Sequence, residues 1–301
     1  MKYRKLTLVS RAAAVLTMTI WGLAFIFSKM ALAFSDPVTL LAWRFATAFL
    51  VLNLIKLAGR IHFSMKGKPV GKLLLLGLIQ PVLYFICENY GVKYSSATFA
   101  GIMIALMPIF ILIGAAVIMK ERITGAQVLF SALSVAGVII MSVSPGQEQL
   151  ATPAGALFMT GAVISGAAFV LLSKDLSAHF TAFERTYFMF AEGFVFCTVT
   201  GLILHGGSLR SLAAPLENRP FLTAVLYLGV CASVTAFFLQ NFYVSFISLA
   251  ESAVFTNLST VVTILAGILI LQEPFSFKTI PCTIMIIVGV VGVQLAKGKE
   301  K

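Results

Sequence analysis

The sequence predicts an all-α, polytopic membrane protein with ten transmembrane helices, arranged as two five-helix repeats of inverted topology. Of its 301 residues, 59% are hydrophobic and only 11% are charged, and the mean hydropathy is +1.01. Ten stretches are apolar over about 20 residues, the length that a helix needs to cross a bilayer. The sequence also aligns with itself at a nearly constant offset. A soluble enzyme is excluded, because soluble domains carry about 25% charged residues.

The ten candidate spans follow one another with few long loops. They cover residues 11–33, 37–57, 73–92, 95–119, 124–143, 153–173, 183–204, 221–245, 248–271 and 275–296. The first span has a basic start like a signal peptide, but its apolar stretch exceeds the roughly 7–15 residues of a signal sequence. We therefore treat it as a membrane helix. The sizeable polar loops, 58–72 and 205–220, are too short for a separate domain.

The distribution of lysine and arginine predicts the orientation. With the N-terminus inside, fifteen of the 22 basic residues fall on the inner side, four fall outside, and three lie in or at the ends of spans. Because basic residues favour cytoplasmic loops, both termini are expected on the cytoplasmic side of the cell membrane. The net charge of +11 then reflects topology and attraction to anionic lipid. The aromatic residues lack the basic patches of a nucleic-acid site, so no nucleic-acid partner is expected.

The self-alignment defines an internal repeat. At an offset of 152 residues Asn89 aligns with Asn241, and the register runs without a gap from residue 76 to the last span. Near the front of each copy the offset is about 144. The repeats therefore occupy residues 1–145 and 153–301. Because each holds an odd number of spans, the second copy enters the membrane from the opposite side. Inverted pairs are typical of secondary transporters, although duplication also builds channels and scaffolds.

A set of motifs accompanies the repeat. The first copy has Trp21-Gly22, Phe25, Lys29, Pro37, Arg44, the run from Asn89 to Ala97, Pro108, Glu121-Arg122 and Gly137. The second copy keeps Asn241, Glu273 and Gly289, but Phe188 stands at the position of Arg44 and Thr260 stands at the position of Pro108. On these motifs the chain resembles the EamA-type members of the drug/metabolite transporter superfamily over nearly its whole length.

That resemblance implies a transporter of small metabolites, often amino acids or related compounds and commonly exported. It also implies a central cavity lined by the first four helices of each repeat. No HExxH, GxSxG or nucleotide-binding loop motif occurs, so no enzyme activity, catalytic residue or cofactor is expected. The alternative is a membrane scaffold or receptor-like protein that transports nothing. A ten-helix scaffold would leave two features without a purpose: the inverted repeat, and the carboxylate of Glu192 near the predicted midplane of the membrane.

Arg44 and Glu88 are candidate substrate-binding residues, because charges within spans are costly and are functional candidates by default. Each lies about 10 Å from the outer surface, so an ion pair is geometrically feasible. The pair either fixes helix packing, or Arg44 presents its guanidinium to a carboxylate or phosphate of the substrate. Glu88 also ends a stripe with Gln80 and Tyr84 on one helix face, and such a face usually looks into a cavity.

Glu192 lies near the predicted midplane, about 18 Å from the outer end of its span. It is a candidate proton-coupling group or counter-charge for a substrate amine. The structural alternative is a protonated carboxyl that makes one hydrogen bond between helices.

Five further candidates come from aromatic and polar side chains within spans. Trp21, Tyr84 and Tyr187 are candidate cavity walls. Thr256 belongs to a polar stripe with Ser252, Ser259 and Thr263, which lines a water path or else satisfies backbone groups and neighbouring helices; Asn257, next to Thr256, favours the water path. In a chain with 26 phenylalanines, aromatic side chains are more often packing residues. The cysteines and histidines have no metal-ligand spacing, so no metal site is expected. The expected partners are a small-molecule substrate, protons if transport is coupled, and lipid; small residues permit a homodimer without specifying one.

Overall fold

The computed structural model describes residues 2–119, 124–143, 152–246, 249–272 and 279–296. Within these ranges the chain is helical and contains no β-strand. The main helices are α1 (Lys2–Leu32), α2 (Pro37–Ala58), α3 (Val70–Lys93), α4 (Ala97–Ile104), α5 (Met107–Met119), α6 (Gly125–Val143), α7 (Pro153–Leu176), α8 (Ala182–Leu204), α9 (Arg219–Tyr243), α10 (Leu249–Ile270) and α11 (Thr279–Leu295). Two short helices, Leu209–Ala213 and Ala214–Glu217, lie in the predicted 205–220 loop.

Six of these helices are long and apolar enough to cross a membrane. They are α1 (from Leu8), α2, α3, α7, α8 and α9. Four further apolar stretches are shorter within the described residues: Ala97–Ile111, Gly125–Gly137, Leu258–Ile270 and Ile280–Gly289. The predicted all-helical, multi-pass architecture is therefore confirmed, while the count of ten spans stays a prediction.

Side-chain caps explain where several helices begin. The Asp36 carboxylate accepts the backbone N–H groups of Val38 and Thr39 at 2.9 and 3.0 Å. Burial raises the pKa of Asp36, but the hydrogen bonds from Thr39 and Val38 outweigh it and hold the pKa below its ordinary value. Helix α8 begins with a reciprocal capping box between Thr181 and Glu184.

Two of the long helices are distorted at corresponding places. In α3 the helix is broken at Gln80, whose backbone is extended (φ −147°, ψ 119°), just before Pro81, which has no N–H to donate. In α9 a π-helical segment spans Tyr227–Thr235, which includes the positions 152 residues after the distorted segment of α3, Leu78–Leu83. The break in α3 therefore coincides with a proline, and α4 and α5 likewise separate just ahead of Pro108.

Carbonyl groups in both distorted segments accept hydrogen bonds from the other half of the chain. The Trp21 indole N–H on α1 donates to the Ala232 carbonyl at 3.0 Å. The Ser165 hydroxyl on α7 donates to the Ile79 carbonyl at 2.8 Å. Trp21 and Ser165 lie 144 residues apart, the offset found near the front of the two copies. Each half therefore stabilises the distorted helix of the other, because backbone groups released in an apolar environment need new partners.

The helices of the first half (1–145) and the second half (153–301) pack in an exchanged pattern. Helix α1 packs on α9 and α10, α7 packs on α3, α4 and α5, α2 packs on α8 and α9, α8 also packs on α3, and α6 packs on α11. A lysine near the end of the first helix of each half binds a carbonyl at the end of the third. Lys29 Nζ donates to the Val92 carbonyl at 2.9 Å, and Lys174 Nζ donates to the Val244 carbonyl at 2.7 Å. Cations at helix C-termini are favoured by the helix dipole.

Contacts also join the halves at both ends of the bundle. The 58–72 loop and the start of α3 reach α7 and α8 through Lys68 to Glu184 at 2.8 Å and Lys72 to Asp175 at 2.9 Å. At the other end the Thr39 hydroxyl and the His205 ring are hydrogen-bonded at 2.8 Å.

Arg185 at the start of α8 is fully buried and joins three helices. Its guanidinium donates to the carbonyl and hydroxyl of Ser173 at 2.7 Å each, and to the Asn241 carbonyl at 2.9 Å. Its Nε has no hydrogen-bond partner among the described residues. The ends of α7, α8 and α9 are therefore held together by one cation bound to neutral oxygen atoms.

Replacing Arg185 with methionine should lower the free energy of unfolding by about 2–3 kcal/mol, because the hydrogen bonds of a buried charged donor are lost. The measurement is thermal unfolding in detergent with a thiol-reactive dye, which reports exposure of the buried Cys197 and Cys282. The matched control is Arg210→Met, since Arg210 is exposed. Equal unfolding midpoints for the two variants would contradict this role of Arg185.

Candidate functional site: a cavity between the two halves

A cavity lies at the centre of the bundle, between helices of both halves. About 770 Å³ of empty space lies between its walls, a volume that includes open solvent at the mouth. Its walls come from α1 to α5 in the first half and from α7, α9 and α10 in the second half. None of the described lining residues lies on α6, α8 or α11. The family-based expectation of walls from the first four helices of each repeat therefore holds except for α8.

The cavity is mainly apolar, with a few polar groups directed into it. Phenylalanines 25, 85, 169 and 237 form much of the wall. The polar side chains include Arg44, Gln80, Tyr84, Glu88, Gln240 and Ser259. The predicted stripe on α3, Gln80, Tyr84 and Glu88, lines this cavity as expected. A concave apolar site with few polar groups is the usual form of a small-molecule site.

Arg44 is held in place from the second half of the chain. Its side chain is buried, and its Nε–H donates to the Ser233 hydroxyl in the distorted part of α9 at 2.9 Å. Its guanidinium carbon lies 4.0 Å from the centre of the Phe85 ring. Hydrogen bonding and cation–π contact fix the guanidinium at the cavity wall, with no hydrogen-bond partner for its Nη groups in the described residues.

Glu88 lies beside Arg44 without reaching it. The distance from Arg44 Nη1 to Glu88 Oε2 is 4.0 Å, within ion-pair range but beyond a hydrogen bond. Glu88 is 5% exposed, and its Oε2 has no hydrogen-bond partner within the described ranges. The structure therefore brings Arg44 and Glu88 together, as their depths suggested, and leaves one carboxylate oxygen open.

Trp21 and Tyr84 both line the cavity. The Trp21 ring packs edge-on against Phe237 at 4.9 Å while its N–H is bound to Ala232. The Tyr84 ring packs at right angles to Phe85 at 4.9 Å. Both side chains act as wall and as support for neighbouring aromatic rings.

Glu192 and Tyr187 lie outside the cavity. Glu192 is partly buried where α8 crosses α3: a side chain at Gly77 would collide with its carboxyl group, and its Oε1 has no hydrogen-bond partner in the described structure. The Tyr187 hydroxyl donates to Asn53 at 3.0 Å, inside an aromatic cluster that includes Phe49 and Phe63. Neither residue lines the cavity.

The predicted site residues Thr256 and Asn257 cannot be compared, because their side chains lie outside the described part of α10. Their neighbour Ser259, on the same predicted polar stripe, does line the cavity. Neither Ser233 nor Gln240 was identified as a site residue from the sequence. The alignment of Gln240 with Glu88 at the 152-residue offset is the signal that could have identified it.

A family model described as the EamA-like transporter family matches the chain twice, over residues 11–143 and 153–295. The chain belongs to the EamA-like transporter family. The resemblance drawn from the sequence motifs is thereby confirmed, and this EamA-family chain is a multi-pass membrane protein.

Relatives of this EamA-family protein extend over most of its length. An uncharacterized transporter of Bacillus subtilis, YcxC, is 36% identical over 291 residues, which cover 96% of this chain and 93% of that protein. A probable terminal-alkyne amino-acid exporter of Streptantibioticus cattleyicolor is 26% identical over 242 residues, covering 80% and 78% of the two chains. One crystal structure superposes with a TM-score of 0.65 at 15% identity, covering 95% of this chain and 96% of that one, which shows a shared fold.

Replacing Glu88 with methionine should cost about 3–5 kcal/mol of stability, because it leaves the buried Arg44 guanidinium without its counter-charge. The equivalent residue of the other half, Gln240, is neutral, so Gln240→Met leaves no charge unpaired and should change stability little. Thermal unfolding of both variants in the same detergent measures the difference. Equal losses would mean that Arg44 and Glu88 do not stabilise one another.

Proposed function

We propose that this EamA-family protein is a secondary transporter that exports small metabolites, amino acids or related compounds, by alternating access. The observation that carries the proposal is the apolar cavity between the two halves, with Arg44 and Glu88 buried in its wall. Charges are retained within a membrane at sites that handle substrates or ions. A buried guanidinium is suited to bind a carboxylate through its paired N–H groups.

The proposed architecture is ten spans in two inverted repeats, residues 1–145 and 153–301, with both termini cytoplasmic. The exchanged helix packing supports it, since α1 contacts α9 and α10 as α7 contacts α3 to α5. The distorted segments of α3 and α9 and the lysine contacts of Lys29 and Lys174 occur once in each half. In inverted-repeat transporters, discontinuous helices at the repeat interface commonly form the binding site near the midplane.

Alternating access requires the halves to separate at one end of the bundle while they remain joined at the other. At one end Lys68 and Lys72 bind Glu184 and Asp175 across the halves. At the other end His205 binds Thr39 and lies 3.6 Å from Asp36. In the proposed cycle these two sets of contacts break in turn, and the cavity opens to each side.

The substrate class rests on the charges of the cavity and on one relative. Arg44 provides a site for a carboxylate, and the aromatic walls suit an apolar side chain. The relative from Streptantibioticus cattleyicolor is named an amino-acid exporter, which is consistent with such a substrate. Glu192, buried against Gly77, is the proposed proton-coupling group. Because Glu192 lies outside the cavity, the proposal assigns proton coupling to the region where α3 contacts α8.

Reconstituted protein should transport at least one labelled amino acid into or out of liposomes in a saturable manner. Arg44→Ala should reduce transport of anionic or zwitterionic compounds tenfold or more, since a charge-assisted bond to the carboxylate is lost. Arg210→Ala is the control at an exposed arginine. Liposomes that move no amino acid, amine or organic anion above empty vesicles would favour a non-transporting membrane scaffold.

Glu192→Gln should remove the dependence of transport on a pH gradient while leaving transport down a substrate gradient, because the amide cannot carry a proton. The measurement is initial uptake with and without an imposed pH gradient. Glu217→Gln, at an exposed glutamate, is the matched control. Unchanged gradient dependence in Glu192→Gln would eliminate this role and leave Glu192 as a packing residue.

A further inference from the structure

Two buried hydrogen-bond acceptors face the cavity without a donor. They are Oε2 of Glu88 on α3 and Oε1 of Gln240 on α9, and neither has a hydrogen-bond partner in the residues that the structure describes. The two side chains are 5% and 7% exposed, and both line the same cavity. Burying a hydrogen-bond acceptor without a donor costs free energy, so each of these two acceptors needs an explanation.

Glu88 and Gln240 occupy the same position in the two halves. They are 152 residues apart, and at the same offset each is followed by an asparagine, Asn89 or Asn241. The acceptors therefore enter the cavity from opposite halves. The first half provides a negatively charged carboxylate, and the second half provides a neutral amide. Both halves therefore carry an oxygen acceptor at this position, but only that of the first half is charged.

Arg44 does not satisfy the carboxylate. Its Nε–H is used by Ser233, and its Nη1 is 4.0 Å from Glu88 Oε2, too far for a hydrogen bond. Arg44 therefore reduces the electrostatic cost of burying Glu88 while leaving the oxygen available. The charges of Arg44 and Glu88 sum to zero, so a zwitterion leaves the cavity neutral, whereas a cation or an anion does not.

We infer that Glu88 and Gln240 together bind the protonated amino group of the transported compound, and that the neutral amide of Gln240 sets the preference for a zwitterion over a cation. An ammonium group has several N–H donors and no acceptor, which matches two open acceptors. Its bond to the Glu88 carboxylate is charge-assisted. The inference deepens the proposed function, because it assumes that the substrate occupies this cavity.

Three probes that differ only at the charged groups test it: phenylalanine, N-acetylphenylalanine, which lacks the ammonium, and phenylalaninamide, which lacks the carboxylate. Binding to the full-length protein in lipid nanodiscs is measured by calorimetry. Wild type should bind phenylalanine at least tenfold more tightly than either analogue. Gln240→Met should weaken the binding of phenylalanine tenfold or more, because one hydrogen bond to the ammonium group is lost. The affinity for N-acetylphenylalanine, which has no ammonium group, should not change.

Gln240→Glu should shift the preference from phenylalanine toward phenylalaninamide by about tenfold, since a second carboxylate compensates the extra positive charge. The matched control is Gln127→Glu, because Gln127 lies on α6 outside the cavity lining and accepts the Thr124 N–H at 2.8 Å. The control should show the wild-type preference.

Three results would overturn the ammonium assignment. They are equal affinity of the wild type for phenylalanine and N-acetylphenylalanine, an equal loss of affinity for these two probes in Gln240→Met, or no binding of any probe. Failure of the proposed function looks different. In that case phenylalanine binds with the expected pattern, but reconstituted protein transports no amino acid, and the cavity is a binding site without transport.

Discussion

The central constraint in this structure is a buried positive charge at the contact of the two halves. Arg44 belongs to the first half, but its guanidinium is hydrogen-bonded to Ser233 in the second half, where α9 leaves regular α-helical geometry. A charge in an apolar bundle is stable only with partners, and these partners fix how α2, α3 and α9 meet. The position of the guanidinium in the cavity wall and the open oxygen of Glu88 both follow from that arrangement.

The backbone of the two halves is more symmetric than their chemistry. Lys29 and Lys174 bind equivalent carbonyls, and the distorted segments of α3 and α9 are each bound from the first helix of the other half. Charge is distributed differently, because Phe188 stands at the position of Arg44. Symmetric packing permits two related conformations, whereas an asymmetric site gives the substrate a defined orientation within the cavity.

Local patterns made the helices predictable from the sequence. Apolar stretches bounded by caps such as Asp36 give the limits of most described helices to within a few residues, although α1 begins at Lys2, nine residues before the predicted span. The i, i+4, i+8 spacing that ends at Glu88 correctly indicated a cavity-facing stripe. The position of Glu192 against Gly77 was not predictable, because depth along a helix does not specify which neighbour a side chain meets. The role of Ser233 depends on a contact between halves, which a single sequence does not reveal.

The most direct test of whether the buried charges serve a substrate or only one another is the double variant Arg44→Met/Glu88→Met. Removing both charges together should restore wild-type stability or exceed it, because no unpaired charge remains. Amino-acid transport in liposomes and a thermal unfolding midpoint are measured on the same preparation. We expect a stable protein that no longer transports amino acids. A stable double variant that transports them at the wild-type rate would show that Arg44 and Glu88 only hold helices together.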